Sequence, residues 1–443
     1  MQYNSISFLF YFLPLFLAIY YLFPAKARNV VLLAGSLVFY YLSVKSHPWM
    51  IAMLVLLTVF AYFVGLALAN IRMRWLNFVA IAFFAVVLIF CKVYAGGMYL
   101  PVGLSFYLFQ LAAYLIAVFQ GKQQPERHPI RFGTGIFMFP KLLSGPIMAS
   151  GTLTDQVKFR KYRLYDFHRG LQELILGLAM KVLLANRLGG LWGQAVVVGY
   201  DSISPAFAWL ALVAFAMRLY FDFHGYSLMA MGIGRMLGFE IPRNFDDPYA
   251  SRSVSEFYRR WHMTLGAWFR DCIYIPMGGN RYGQMRTAVN LLVVWLATGF
   301  WHGVGGNYLL WAGILVFFIL LERFAMQKFL KKTYALAHLY TVFVILISWV
   351  PFAIGDFDKM VMFLGRLFGI TGKTINPTDF VAQASNYFWM LLAGVVLATP
   401  WPRKIWEKVR DHWVVDIFLF ALFWIAVFFV ATAAQDPFMY FQY

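Results

Sequence analysis

The stretch PWMIAMLVLLTVFAYFVGLALAN, Pro48–Asn70, runs for 23 residues without a charged side chain. At helical rise this length crosses the hydrocarbon core of a bilayer, about 30 Å thick. Apolar blocks of similar length recur along the chain. They read as Ile6–Phe23, Asn29–Ser43, Trp75–Phe90, Met98–Phe119, Gly170–Leu191, Pro205–Gly238, Thr287–Phe300, Tyr308–Phe324, Tyr334–Phe352, Tyr387–Thr399 and Val414–Ala433. About a dozen spans result, in one polytopic all-α membrane domain covering 1–443. Composition agrees: 62% of the 443 residues are hydrophobic and 13% charged, against about 25% charged in soluble domains.

Met1–Ser7 carries no basic residue, and the run that follows ends without a small-residue cleavage site, so the first block is expected to stay as a membrane helix. Cys91 and Cys272 fall in unrelated segments, which supports neither a disulfide framework nor a thiolate metal site. Basic residues alternate between loops. Lys26 and Arg28, Arg72 and Arg74, then Lys122, Arg127 and Arg131 occupy every second loop, while the loops between hold only Lys45 or Lys92. The positive-inside rule then puts the amino terminus outside.

Phe132–Ser150 is less regular, interrupted by Lys141, Ser144, Gly145 and Pro146. It is expected to re-enter the membrane and wall a cavity, since irregular backbone at that depth must be enclosed by protein. The Pro205–Gly238 helix is expected to break at the polar cluster Asp222–Ser227. Ile241–Arg286 is rich in arginine and aromatics and too polar to span, which suits amphipathic helices at the cytoplasmic surface.

The net charge of +18 suits positive-inside topology and contact with anionic membrane lipid. It also suits an anionic donor such as coenzyme A or an acyl carrier protein. No nucleic-acid partner is expected.

Of eight histidines, His47, His128, His168, His338 and His412 sit at loops or helix ends. His224, His262 and His302 lie in or beside apolar segments, where an ionisable group marks a pathway, a site or a structural partner. His302, in Gly299-Phe300-Trp301-His302-Gly303, is suited to take a proton from a hydroxyl attacking a thioester; the alternative is a packed imidazole bonded to a carbonyl. His262 lies in Phe257-Tyr258-Arg259-Arg260-Trp261-His262, a mixture of cations and aromatics that could also be an interfacial belt. The two stand 40 positions apart with no HExxH or cysteine pattern, so no metal and no bound cofactor are expected. Three strings are set aside: Gly372-Lys373-Thr374 lacks the earlier glycine of a phosphate loop, Gly232-Ile233-Gly234 reads as helix packing, and Ser105 lacks the second glycine of a nucleophile elbow.

These motifs resemble the membrane-bound O-acyltransferase (MBOAT) family and, within it, the AlgI-like bacterial branch of polysaccharide O-acetylation. The resemblance rests on Leu104–Gln110, Ser144–Ile147, Tyr220–Phe223 with Gly225–Ser227, Asn244-Phe245 with Pro248-Tyr249, Ser255–Phe257 through His262, and Phe269–Asp271. It continues through Tyr274–Pro276 with Gly278–Arg281, Trp301–Gly303, Asn307, Leu310-Trp311 and the closing Tyr440–Tyr443. His224, Cys272 and Met148-Ala149 depart from the usual pattern.

The resemblance implies a ring of about 11 to 12 transmembrane helices, with re-entrant and amphipathic helices, around a central cavity. His302 would be catalytic and His262 the second active-site residue. Arg252, Arg259, Arg260 and Arg270 suit a donor's phosphates and, with Asn307, are expected to bind it, while Asp222 and His224 would be polar groups of the cavity. The donor would be acetyl-CoA or a carrier-bound acyl thioester at the cytoplasmic face of a bacterial inner membrane. The acceptor would be an exported polysaccharide, served by export machinery, or a periplasmic SGNH-type acetyltransferase acting as relay. D-alanyl transfer to teichoic acid from a carrier protein is the rival within the family. A transporter, for which no inverted repeat is visible, and a non-catalytic scaffold are the rivals outside it.

Overall fold

The computed structural model describes residues 1–70, 73–94, 100–148, 150–432 and 438. Arg72, the Met98 start of one expected span, Ala149, the Ala433 end of another, and Tyr440–Tyr443 lie outside the described residues. Among the described residues every regular element is helical, and the only β pairing is an isolated bridge between Phe245 and Trp261. Eight helices are long and apolar enough to cross a bilayer: Trp49–Asn70, Arg74–Tyr94, Leu164–Val198, Pro205–Met236, Gly306–Lys332, Tyr334–Ala353, Asp379–Leu397 and Trp413–Thr432. Ser7–Leu22, Arg28–Val44 and Leu104–Phe119 are shorter apolar helices. The chain is thus an all-α, multi-pass membrane protein.

Several expected boundaries move, each for a local reason. The Pro205–Met236 helix is unbroken through Asp222–Ser227. Asp222 is neutralised by a lysine from another helix, so its burial does not require the backbone to open. The expected 98–119 span begins as a helix only at Leu104, after Gly103 in the left-handed region at φ 77°. Phe357–Leu367 and Pro400–Val409 are helices that a search for apolar blocks passes over. Both are amphipathic, so their charged faces dilute the apolar signal. Phe357–Leu367 buries Met360, Phe363 and Leu367 along one side, and the Asp356 carboxylate caps it by accepting from the Lys359 N–H.

The chain forms two compact units, one of Met1–Leu178, Gly225–Arg243 and the chain from Leu422 onward, the other of Ala179–His224 and Asn244–Ala421. In the first unit every residue from Phe132 to Met148 is buried, although only Pro129–Phe137 and Phe139–Leu142 are helical there. The irregular backbone is enclosed by protein, as hydrocarbon would demand. The same unit holds a glycine seam. A Cβ on Gly170 would come 2.5 Å from the Gly232 carbonyl oxygen, and one on Gly177 would come 2.4 Å from that of Gly225. Only glycine lets two backbones approach so closely, which accounts for Gly232 as a packing residue.

The second unit carries the residues singled out from the sequence. Its helix Gly283–His302 packs closely on Gly306–Leu321, because a Cβ on Gly299 would lie 2.8 Å from the Tyr308 carbonyl oxygen and 2.9 Å from the Ala312 Cβ. That approach places His302, the last residue of its helix, against the first turns of the next.

Candidate active site

The Val254–Arg260 helix is set by its amino end. The Ser253 hydroxyl accepts from the Glu256 N–H, an N-cap written in the sequence as Ser-x-x-Glu. The buried Glu322 carboxylate accepts from the Val254 N–H at 2.5 Å, the Ser255 N–H at 3.0 Å and the Ser255 hydroxyl at 2.7 Å. An anion at that end satisfies donors that would otherwise be orphaned and complements the helix dipole. The helix ends at Trp261, which pairs with Phe245, and Met263–Phe269 follows.

His262 is the junction. It adopts φ 47° and ψ 51°, a left-handed conformation held among the described residues by only one other non-glycine residue, Asp247. The residue is 4% exposed, and its ring meets the Phe223 ring edge-on, with centroids 4.6 Å apart. Burial pushes the imidazole down to about 3, so His262 is neutral at physiological pH.

His302 is 6% exposed and ringed by aromatics. Its centroid lies 5.0 Å from Trp311 and 5.0 Å from Phe352, both edge-on, and 6.3 Å from Tyr308, nearly parallel. Trp301 connects the two histidines: its ring centroid is 4.5 Å from His302 and 6.1 Å from His262. Residues 40 positions apart thus share one indole as neighbour. Gly303 leaves the room this needs, since a Cβ there would come 2.4 Å from the Tyr308 ring.

The other expected site residues divide. Arg260 is paired with Glu256 at 2.8 Å, Arg270 with Asp271 at 2.8 Å, and the Arg252 guanidinium lies over the Tyr334 ring. Arg259 and Arg252 are both exposed, and neither has a carboxylate partner among the described residues. The Asn307 amide donates to the Pro351 carbonyl at 2.9 Å, which ties two helices together and engages its donor inside the protein. His224 packs beside the Tyr220 and Phe245 rings, 5.2 and 5.3 Å away, and those two rings also meet each other. Asp222 faces Lys181 rather than an open cavity, in an ion pair that excludes solvent.

Lys181 escaped the sequence reading. It is the only charged residue between Glu173 and Arg187, and Asp222 is the only acid of the Pro205–Met236 helix, so opposite charges in separate membrane segments are a signal for pairing. It sits in a π-helical turn, Met180–Ala185, whose extra residue per turn is common where a helix must aim a side chain. Asn244 meets Thr264 and Trp301 meets His262 across long sequence separations, which no local pattern in the chain shows.

With this geometry in view, the model of the family "MBOAT, membrane-bound O-acyltransferase" matches residues 127–354, just over half of the chain. The chain belongs to the membrane-bound O-acyltransferase family. It is 33% identical over 438 residues to a protein of Azotobacter vinelandii described as a probable alginate O-acetylase AlgI, covering 92% of this chain and 86% of that one. A protein of Pseudomonas putida with the same description is 30% identical over the full length of both. A peptidoglycan O-acetyltransferase of Helicobacter pylori is 26% identical over all of this chain and 97% of its own. The MBOAT chain described here is accordingly an O-acyltransferase built into a membrane, and residues 127–354 contain both buried histidines, the Glu322-anchored helix and the Lys181–Asp222 pair.

Proposed function

We propose that this MBOAT protein transfers an acetyl group from a cytoplasmic thioester, acetyl-CoA or a carrier-bound equivalent, to a hydroxyl on the outer side of a bacterial inner membrane. The acceptor is an exported polysaccharide or a periplasmic SGNH-type relay enzyme. The observation that carries the chemistry is Trp301 in contact with both buried histidines, and the full-length likeness to alginate O-acetylases supports acetyl as the group.

In this reading His302 takes the proton from the acceptor hydroxyl as its oxygen attacks the thioester carbonyl. The tetrahedral intermediate collapses with cleavage of the carbon–sulfur bond, and the imidazolium returns the proton to the departing sulfur. His262, neutral by burial, donates an N–H to the carbonyl oxygen as negative charge develops there. A neutral donor suits this task, because it stabilises the oxyanion without having to be desolvated as a cation. The aromatic wall of Trp311, Phe352 and Tyr308 excludes water, which would otherwise hydrolyse the thioester. Exposed Arg259 meets the donor's phosphates.

Purified protein in proteoliposomes, given acetyl-CoA radiolabelled in the acetyl group and an acceptor polysaccharide or relay protein, tests the reading. Labelled acceptor is expected, and His302→Ala should lower its formation by about 100- to 10,000-fold while leaving an inserted, folded protein. No label without another catalyst, or full activity in His302→Ala, overturns it. A scaffold gives the first of these outcomes.

A further inference from the structure

His262 is held in a backbone conformation that a β-carbon makes costly, and residues in such regions persist only when their surroundings over-determine them. The surroundings here converge on one residue. The Met263 N–H donates to the Asn244 carbonyl at 2.9 Å, and the Thr264 N–H donates to the Asn244 Oδ1 at 3.3 Å. The Thr264 hydroxyl donates to the same Oδ1 at 2.6 Å. Asn244 is 1% exposed, so no water substitutes for these bonds. On the other side of His262, the Asp246 N–H donates to the Arg260 carbonyl at 3.0 Å, and Phe245 pairs with Trp261. The strand-like segment 244–246 therefore grips the chain immediately before and immediately after the histidine. Arg403 fixes that segment in turn, binding both Asp246 and, at 2.7 Å, Asp247.

A helix running through position 262 would place residues 261–264 on successive faces and turn the imidazole elsewhere. The left-handed residue instead reverses the chain between Val254–Arg260 and Met263–Phe269 and directs the ring at Phe223 and Trp301. We infer that Asn244 is a positioning residue of the acyl-transfer site, which acts only through His262 by locking the turn that aims its imidazole. The inference rests on the role proposed for His262. Asn244 touches neither donor nor acceptor in this scheme.

The experiment is a double-mutant cycle in proteoliposomes, with kcat and KM for acetyl-CoA measured on Asn244→Ala, His262→Ala and the double variant. Asn244→Ala is expected to lower kcat by about 100-fold with little change in KM, the effect of a catalytic group misplaced by about 1 Å. In the His262→Ala background the same substitution should add no further loss. Thr264→Val, which removes one donor and keeps the shape, should fall in the same direction, and Thr264→Ser should recover most of that loss. If Asn244→Ala does not fold, the Thr264 pair decides the question by the same cycle. Additive losses would mean that Asn244 acts independently of His262, and a silent Asn244→Ala beside an impaired His262→Ala would overturn this inference alone. Full activity in His262→Ala would remove the role of His262 and the inference with it.

Discussion

Lys181 Nζ lies 2.5 Å from Asp222 Oδ1, and the two side chains are 0% and 1% exposed. Breaking a buried ion pair by removing one partner typically costs about 3–5 kcal/mol. Lys181→Met and Asp222→Leu should each lower the thermal unfolding temperature in detergent sharply. The double variant should recover most of that loss, because an apolar pair of similar volume removes both desolvation penalties. A double variant no better than the worse single one would show that the pair does more than neutralise itself.

Gly303 stands where a Cβ would come 2.4 Å from the Tyr308 ring, and Tyr308 lies nearly parallel to His302. Its backbone is extended at φ 176°, so alanine brings no backbone strain. Gly303→Ala is expected to displace Tyr308 and tilt His302, lowering acyl transfer by about 10- to 100-fold with the unfolding temperature little changed. Turnover measured beside a melting curve separates this from general destabilisation.

Glu322 accepts three hydrogen bonds from Val254 and Ser255. Glu322→Ala leaves those donors without a partner, at a cost of about 1–3 kcal/mol for each that water cannot reach. A loosened Val254–Arg260 helix and a lower melting temperature are expected. Glu322→Gln keeps one carbonyl acceptor and should fall between. Protection of the Val254 and Ser255 amides from hydrogen exchange is the direct readout.

His262 gives a pH prediction. An exposed imidazole titrates near about 6.5, whereas burial holds this one at about 3. Below pH 6.5 the unfolded chain binds a proton that the folded chain does not, so the stability present above that pH is lost progressively as pH falls toward 3. Between about pH 7 and pH 5 the melting temperature of the wild type should fall more steeply than that of His262→Asn, which cannot titrate there and tolerates the left-handed backbone. Equal slopes would mean that His262 is not buried as a neutral ring.

Membrane residence and helical class were readable from Pro48–Asn70 and its repeats, because in hydrocarbon a run of apolar residues can satisfy its backbone only as a helix. His262 and His302 were readable as candidates on similar grounds, being ionisable groups in or beside apolar segments. Phe357–Leu367 and Pro400–Val409 were missed, since amphipathic helices carry no apolar block. The break expected at Asp222 was an inference from one strand of information. The lysine that makes it unnecessary is 41 residues away.

What composition and local pattern settled, then, is which segments enter the membrane and which residues are too costly there to be incidental. Pairing was left to the tertiary structure: Lys181 with Asp222, Trp301 with His262, Asn244 with the turn at His262. Apolar patterning is a property of neighbours along the chain, written into each segment separately. Hydrogen bonds and ring contacts between residues far apart in the chain depend instead on how the segments meet, and a left-handed histidine is stable only once that meeting has occurred.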